Sequence, residues 1–301
     1  MTHEIIQRSE TIVSMDTNVI RNLCYADEPW ITTFQKMASD GYHFCLSDIL
    51  FAEFLEQFER GSIIGEQYRI AIQRANMFVS RTLPVLPGKA ELYQMSGIKD
   101  KHLSNDFDPE YTQRDSEAKW GWMKALSEPA DLAIKVVRVK VGNQAYKYSF
   151  QAGVAARTLD EERLKWSQFV KQFDALTTNR IREKRTEILK KMAEIEDNWA
   201  DCDPPLSVRF DLWNKNLFET VAQRSISKEP YNPESNKRKN DGIDFLLKQA
   251  FLLPALVCTA DKNFIGRFAN IDSFQKEWIY TPEDLTDAWT RKEITRPEWP
   301  S

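Results

Sequence analysis

The chain has 301 residues, of which 42% are hydrophobic and 29% charged, and its formal net charge is -4. That length holds one large domain or two ordinary ones at roughly 100 to 200 residues each, with apolar content enough for a sizeable core. The slightly acidic balance argues against nucleic-acid binding through bulk charge and leaves only a local patch for it.

No apolar run approaches the roughly 18 residues of a membrane span, so no membrane partner is expected. The start, MTHEIIQRSE, lacks a signal-peptide core, and the four cysteines (Cys24, Cys45, Cys202, Cys258) form no CxxC pair. Both features fit a reducing, cytoplasmic setting and speak against a disulfide framework or a thiolate zinc site. With only His3, His43 and His102 in the chain, a metal site would have to be built from carboxylates.

Residues 10–16, ETIVSMD, form a short apolar run that closes on Asp16, as a buried strand would. Helical spacing follows over TNVIRNLCYA and over WITTFQKMASDG, which stops at Gly41. HFCLSDI reads as a second strand, and ILFAEFLEQFERG as an apolar helix with Glu53 in its first turns. Residues 63–81 continue in helical pattern, and LPVLPG is a connector. A polar, turn-rich stretch at 99–118 marks a change of composition. IKVVRVKVG alternates apolar and charged residues and suits either a strand or an exposed helix end.

Residues 158–199 predict one or two long helices, and 226–239 a linker. The α/β pattern then returns. NDGIDFLLKQAFLL predicts a helix with Asn240 as its N-cap. ALVCTAD is a second apolar run that closes on an aspartate, Asp261. KNFIGRF predicts a short helix, and WIYTPEDL a last edge strand that turns at Pro282. Strands alternating with helices predict a parallel sheet covered by helices.

In such a sheet the working crevice lies outside the carboxyl ends of the strands, where Asp16 and Asp261 would both stand. Glu53 lies one turn into the helix after the second strand. Asp241 and Asp244 share a helix face at i and i+3. Carboxylates converging with no Lys or Arg among them repel one another, and a divalent cation resolves the repulsion. Mg²⁺ and Mn²⁺ take such oxygen ligands.

Four segments in order, SMDTNVI, LSDILFAEFL, NDGIDFLLKQA and CTADKNF, followed by YTPEDL, resemble the PIN-domain nucleases. The resemblance spans residues 10–60 and 239–285. It implies an α/β fold: a Rossmann-like PIN core with a central parallel sheet, split into residues 8–84 and 239–290 around a mainly helical insertion at 85–238. It implies that Asp16, Glu53, Asp244 and Asp261 are catalytic and hold Mg²⁺ or Mn²⁺, with Asp241 a further metal-ligand candidate. Asp244 is preferred to Asp241 as the third acid for its spacing before the Thr-x-Asp pair. Asn18, Ser47 and Thr259 would support the acids.

Lys237, Arg238 and Lys239, just before the third acidic segment, are candidate substrate contacts. The implied activity is metal-dependent hydrolysis of single-stranded RNA, in a family that often serves as a toxin or defence nuclease. An inhibitory protein partner and a homo-oligomer go with that reading.

Blander readings stand beside these. Asp16, Thr17 and Asn18 are all helix-capping residues, and acids suit a helix N-terminus. The basic stretch NRIREKRTEILKK reads as a solvated helix face with internal ion pairs rather than a phosphate track. Two other functions remain open: a non-catalytic binding module on the same fold, and an aspartyl-nucleophile phosphatase. Asn18 counts against the latter, because a second acid is wanted there.

Overall fold

The computed structural model describes residues 5–6, 10–25, 28–100, 107–126, 134–141, 143–151, 153–176, 184–222, 231–235, 238 and 240–300. At its centre lies a four-stranded parallel sheet of β1 (Thr11–Met15), β2 (Tyr42–Leu46), β7 (Ala255–Cys258) and β8 (Ile279–Tyr280), in the order β2-β1-β7-β8. β1 is buried along its whole length, and all four residues of β7 are buried too. Both strands are therefore buried without alternation, β7 wholly and β1 mostly apolar with Thr11 and Ser14 its polar residues, as a parallel sheet covered on two faces requires. Register pairs Ile12 with His43 on one side and with Ala255 on the other.

The helices α1 (Thr17–Asn22), α2 (Trp30–Ser39) and α3 (Asp48–Glu59) alternate with the first two strands. Gly41 at φ +86° supplies the turn from α2 into β2, a conformation open to glycine without a Cβ clash. Phe34 stacks on Phe44 at 4.3 Å, with Phe78 edge-on to both. β2 ends at Leu46, three residues before the predicted strand HFCLSDI does, because Ser47 caps α3 by accepting from Leu50 N at 3.2 Å. The LPVLPG connector is more than a link. Leu46 N donates to Pro84 O, and isolated bridges join Phe44 to Val79 and Leu46 to Val85, so this segment covers the edge of β2.

Next come α4 (Gly65–Ala75), α5 (Lys89–Met95), β3 (Lys99–Asp100) and α6 (Pro109–Leu126). IKVVRVKV resolves as a strand, β4 (Ile134–Val141), paired antiparallel with β5 (Gln144–Gln151). The predicted long helices are α7 (Val154–Leu176) and α8 (Arg185–Trp199). β6 (Ala200–Asp201) pairs with β3, and α9 (Leu206–Arg209) and α10 (Asp211–Leu217) follow.

These elements share the core of the sheet. Trp120, Trp122, Val137, Leu159 and Trp213 belong to the same buried cluster as Val13, Phe44 and Leu256. Leu159, fully buried on α7, contributes about 1.5–3 kcal/mol by its burial alone.

The last stretch holds α11 (Asp241–Leu246), α12 (Lys262–Phe268) and α13 (Pro282–Thr290). The predicted single helix from Asn240 breaks at Leu246, and Leu247–Leu252 continue as 3-10 turns. Asn240 does not cap with its side chain: its backbone oxygen accepts from Asp244 N, and its Oδ1 accepts from Arg163. Gly242 faces Trp166 so closely that a Cβ there would lie 2.5 Å from the Trp166 Cβ and Cγ, which fixes how α11 docks on α7. Thr281 caps α13 through Asp284 N, with Pro282 in the first turn.

Candidate acidic site

β1 leads the chain away to β2 on one side, and β7 leads it to β8 on the other. The gap beyond the carboxyl ends of β1 and β7 is thus a topological switch point, where an open α/β sheet has its crevice. Asp16 follows β1 directly, and Thr259 follows β7. Backbone bonds from Asp16 N to Cys258 O and from Thr259 N to Tyr280 O carry the ladder to the rim.

Asp16 is buried and its carboxylate is held by three donors. Oδ1 accepts from Thr17 N at 2.7 Å, so the helix-cap role is real. Oδ2 accepts from the Thr259 hydroxyl at 2.7 Å and from Asn18 Nδ2 at 2.5 Å. Asn18 Oδ1 in turn accepts from Ala260 N at 2.7 Å, and Thr259 Oγ1 accepts from Asp261 N at 3.1 Å. Asn18 and Thr259 thereby tie the loops after β1 and β7 together around one carboxylate. Burial raises the Asp16 pKa; the bonds from Thr259, Thr17 and Asn18 oppose it, and the charge of Asp261 adds to it.

Glu53 joins from α3 through Thr17, whose hydroxyl donates to its Oε2 at 2.5 Å. Its pKa is raised by burial first; Thr17 lowers it, and the negative charges of Asp16 and Glu56 raise it. Asp244, on α11, is pushed up to about 7 by burial, against the pull of Arg267, with Asp16, Asp241 and Glu53 adding repulsion. Its side chain is 35% exposed, so solvent tempers that shift. Asp244 thus feels the charge of acids from three segments: the end of β1, α3 and α11 itself.

Asp261 stands at the edge of the group, its Oδ1 capping α12 by accepting from Asn263 N at 2.8 Å and Phe264 N at 3.1 Å.

The expectation of acids with no cation among them is overturned. Arg267 on α12 donates to Asp244 Oδ2 at 3.2 Å and lies 3.8 Å from Asp241 Oδ1. Asp241 is further engaged: Tyr231 donates to its Oδ2 at 2.8 Å, and Arg238 lies 3.6 Å away. Trp166 Nε1 donates to the same Tyr231 hydroxyl. Asp241 thus anchors Tyr231 and Arg238 to α11, and Tyr231 bonds on to α7 through Trp166, while Asp244 faces the other acids.

Of the candidate substrate contacts, Arg238 is spent on Asp241, and Lys237 and Lys239 lie outside the described residues. Ser47 caps α3 and has no described bond to an acid.

Sequence reasoning missed Thr17, Arg267 and Tyr231. Thr17 carried a signal as a hydroxyl between Asp16 and Asn18. Arg267 and Tyr231 reach the acids only through the fold.

A small cavity of about 20 Å³ beside Asp241, Asp244 and Arg267 is bounded by Asn216, Thr220 and Trp213, room for about one water molecule. Among the described residues no three Asp, Glu, His or Cys side chains stand close enough to cage a cation as they are placed. The donor set nevertheless fits a hard cation in kind. It offers carboxylate oxygens whose pKa values are raised by burial and by one another, a repulsion that a divalent ion would relieve.

Searches of family models, of curated proteins and of solved structures find no match to this chain. Among the described residues no helix is long and apolar enough to cross a membrane.

Proposed function

We propose that this chain is a metal-dependent endonuclease of the PIN type that hydrolyses single-stranded RNA. The observation that carries the reading is the buried Asp16 at the switch point, gripped by Thr259, Asn18 and Thr17 N, with Glu53 tied to it through Thr17. The three donors work against the burial that raises its pKa, and they hold its oxygens in place at the crevice of an α/β sheet, where a metal nuclease needs a fixed carboxylate.

Asp16, Glu53 and Asp244 would hold Mg²⁺ or Mn²⁺, with Asp261 at the side. When bound, the cation supplies an activated water and neutralises charge on the leaving oxygen. The chain's own groups do the rest. Thr259 and Asn18 fix the direction of the Asp16 oxygens, Thr17 fixes Glu53, and Arg267 exchanges its partner Asp244 for the negative charge of the substrate.

A second reading, a non-catalytic module on the same fold, is favoured by one observation: Arg267 already balances Asp241 and Asp244 internally.

The test is incubation of purified protein with labelled single-stranded RNA, and separately DNA, under Mn²⁺, Mg²⁺ or EDTA, alongside Asp16→Asn and Asp261→Asn. The expected result is metal-dependent cutting of RNA by the wild type and none by Asp16→Asn. A folded protein that neither cuts nor takes up Mn²⁺ in calorimetry would leave the binding module as the reading.

A further inference from the structure

The β4–β5 hairpin carries a second surface with a chemistry of its own. Its inner face is fixed: Val137 and Val139 are buried, Gly121 on α6 leaves space at Val137 that a Cβ would fill at 2.6 Å, and Arg114 lies over the Tyr146 ring at 3.9 Å while donating to the Tyr148 hydroxyl. Side chains on a strand alternate, so the outer face presents Arg138 and Lys140 from β4 and Lys147 from β5, all exposed, with no carboxylate on that face.

Register sets Arg138 directly opposite Lys147. Like charges in that position destabilise an antiparallel pair. Among the described residues no acid pairs with any of the three. The lysines of α8 differ: Lys191 pairs with Glu187 at 3.0 Å and Lys190 with Glu194 at 3.9 Å. Unbalanced cations held on a rigid ribbon, in a chain whose net charge is -4, call for an anion from outside.

We propose that the outer face of this hairpin binds the phosphate backbone of a single-stranded nucleic acid through Arg138, Lys140 and Lys147. The commitment to nucleic acid rests on charge complementarity and on the reading of the acidic site as a nuclease. Arg138 and Lys140 lie about 7 Å apart along the strand, a spacing comparable to that of neighbouring phosphates on an extended chain. The outer face has no aromatic ring on which a base could stack, so binding reads charge and not sequence.

The experiment measures binding, not cutting. A fluorescent 20-nucleotide single-stranded RNA of mixed sequence is titrated in EDTA, with full-length wild type and with the triple variant Arg138→Gln, Lys140→Gln, Lys147→Gln. DNA of equal length and polyglutamate are the other probes. Three lost phosphate contacts at about 0.7 each lower the slope of log affinity against log salt by about 2, and affinity at 0.1 M salt falls roughly ten- to a hundredfold.

An unchanged slope and affinity in the soluble triple variant overturn the proposal. Polyglutamate bound as tightly as RNA overturns it in favour of an acidic protein partner. Binding without any cutting under Mn²⁺ keeps this surface and removes the nuclease. Cutting and binding indifferent to the triple variant keep the nuclease and remove this surface.

Discussion

Replacing Asp244 by Asn should make the metal-free protein more stable, although the substitution breaks an ion pair. In the folded chain burial and the charges of Asp16, Asp241 and Glu53 hold the Asp244 pKa near 7, against 3.8 in the unfolded chain. Between those values the native state keeps a proton that the unfolded state has released. Stability therefore falls as pH rises from about 4 to 7 and stays low above that. Three units at 1.36 kcal/mol each give about 4 kcal/mol as a ceiling. With the side chain 35% exposed, solvent screening cuts this to about 1–2 kcal/mol.

Asn keeps the shape and an oxygen for Arg267. The assay is urea denaturation of both proteins in EDTA at pH 4 and pH 8. The expected difference is close to zero at pH 4 and 1–2 kcal/mol in favour of Asp244→Asn at pH 8. Mn²⁺ should reverse the order, stabilising the wild type by binding only its native state. A variant destabilised equally at both pH values would refute the reasoning and make the Arg267–Asp244 pair a structural ion pair.

Thr259→Val keeps the shape of the side chain but removes the hydroxyl that donates to Asp16 and accepts from Asp261 N; a loss of about 1–3 kcal/mol is expected, and a melting temperature unchanged in EDTA would contradict it. Gly242→Ala places a methyl 2.5 Å from the Trp166 Cβ and Cγ, close to the backbone of α7 where nothing flexible yields; overpacking of about 1–3 kcal/mol should appear as a lower denaturation midpoint, and a neutral result would mean that α11 does not dock as described.

Lys248, half-buried over the Phe210 ring at 4.9 Å, has its pKa pushed down by burial to about 8 from 10.5. Between those values the unfolded chain holds a proton that the folded chain lacks, so this residue makes stability rise from pH 8 to 10.5. Lys248→Met should add about 1–2 kcal/mol at pH 7, less than the shift alone implies because Glu196 loses a counter-charge, and a gain of the same size at pH 10.5 would be inconsistent with it.

The central strands were legible because a parallel strand buried on both faces has to be written in apolar residues, and TIVSM and ALVC contain little else. The acids after them were legible for the same reason: each stands where an apolar run stops. What could not be read is where side chains from distant segments meet. Arg267 sits on a seven-residue helix, and nothing in its neighbours says that it faces α11. Asp241 and Asp244 share a helix face and differ only in their surroundings. Tyr231, which holds Asp241, lies in a stretch that reads as a linker. The break of the predicted helix at Leu246 was hidden too, since LLKQAFLL has helical composition throughout and packing decides its winding.

The bond from Thr259 to Asp16 joins residues 243 positions apart, and β1 receives its second neighbour only from β7. Contacts so remote in sequence close late, because loop-closure entropy has to be met before they form. β1 therefore keeps one edge without its strand neighbour until residues 255–258 are in place. Asp16 then acquires its grip from Thr259 in the same event that seals the sheet. The rim carboxylate and the central strand are thus completed together: the pairing that seals β1 also brings Thr259 onto Asp16.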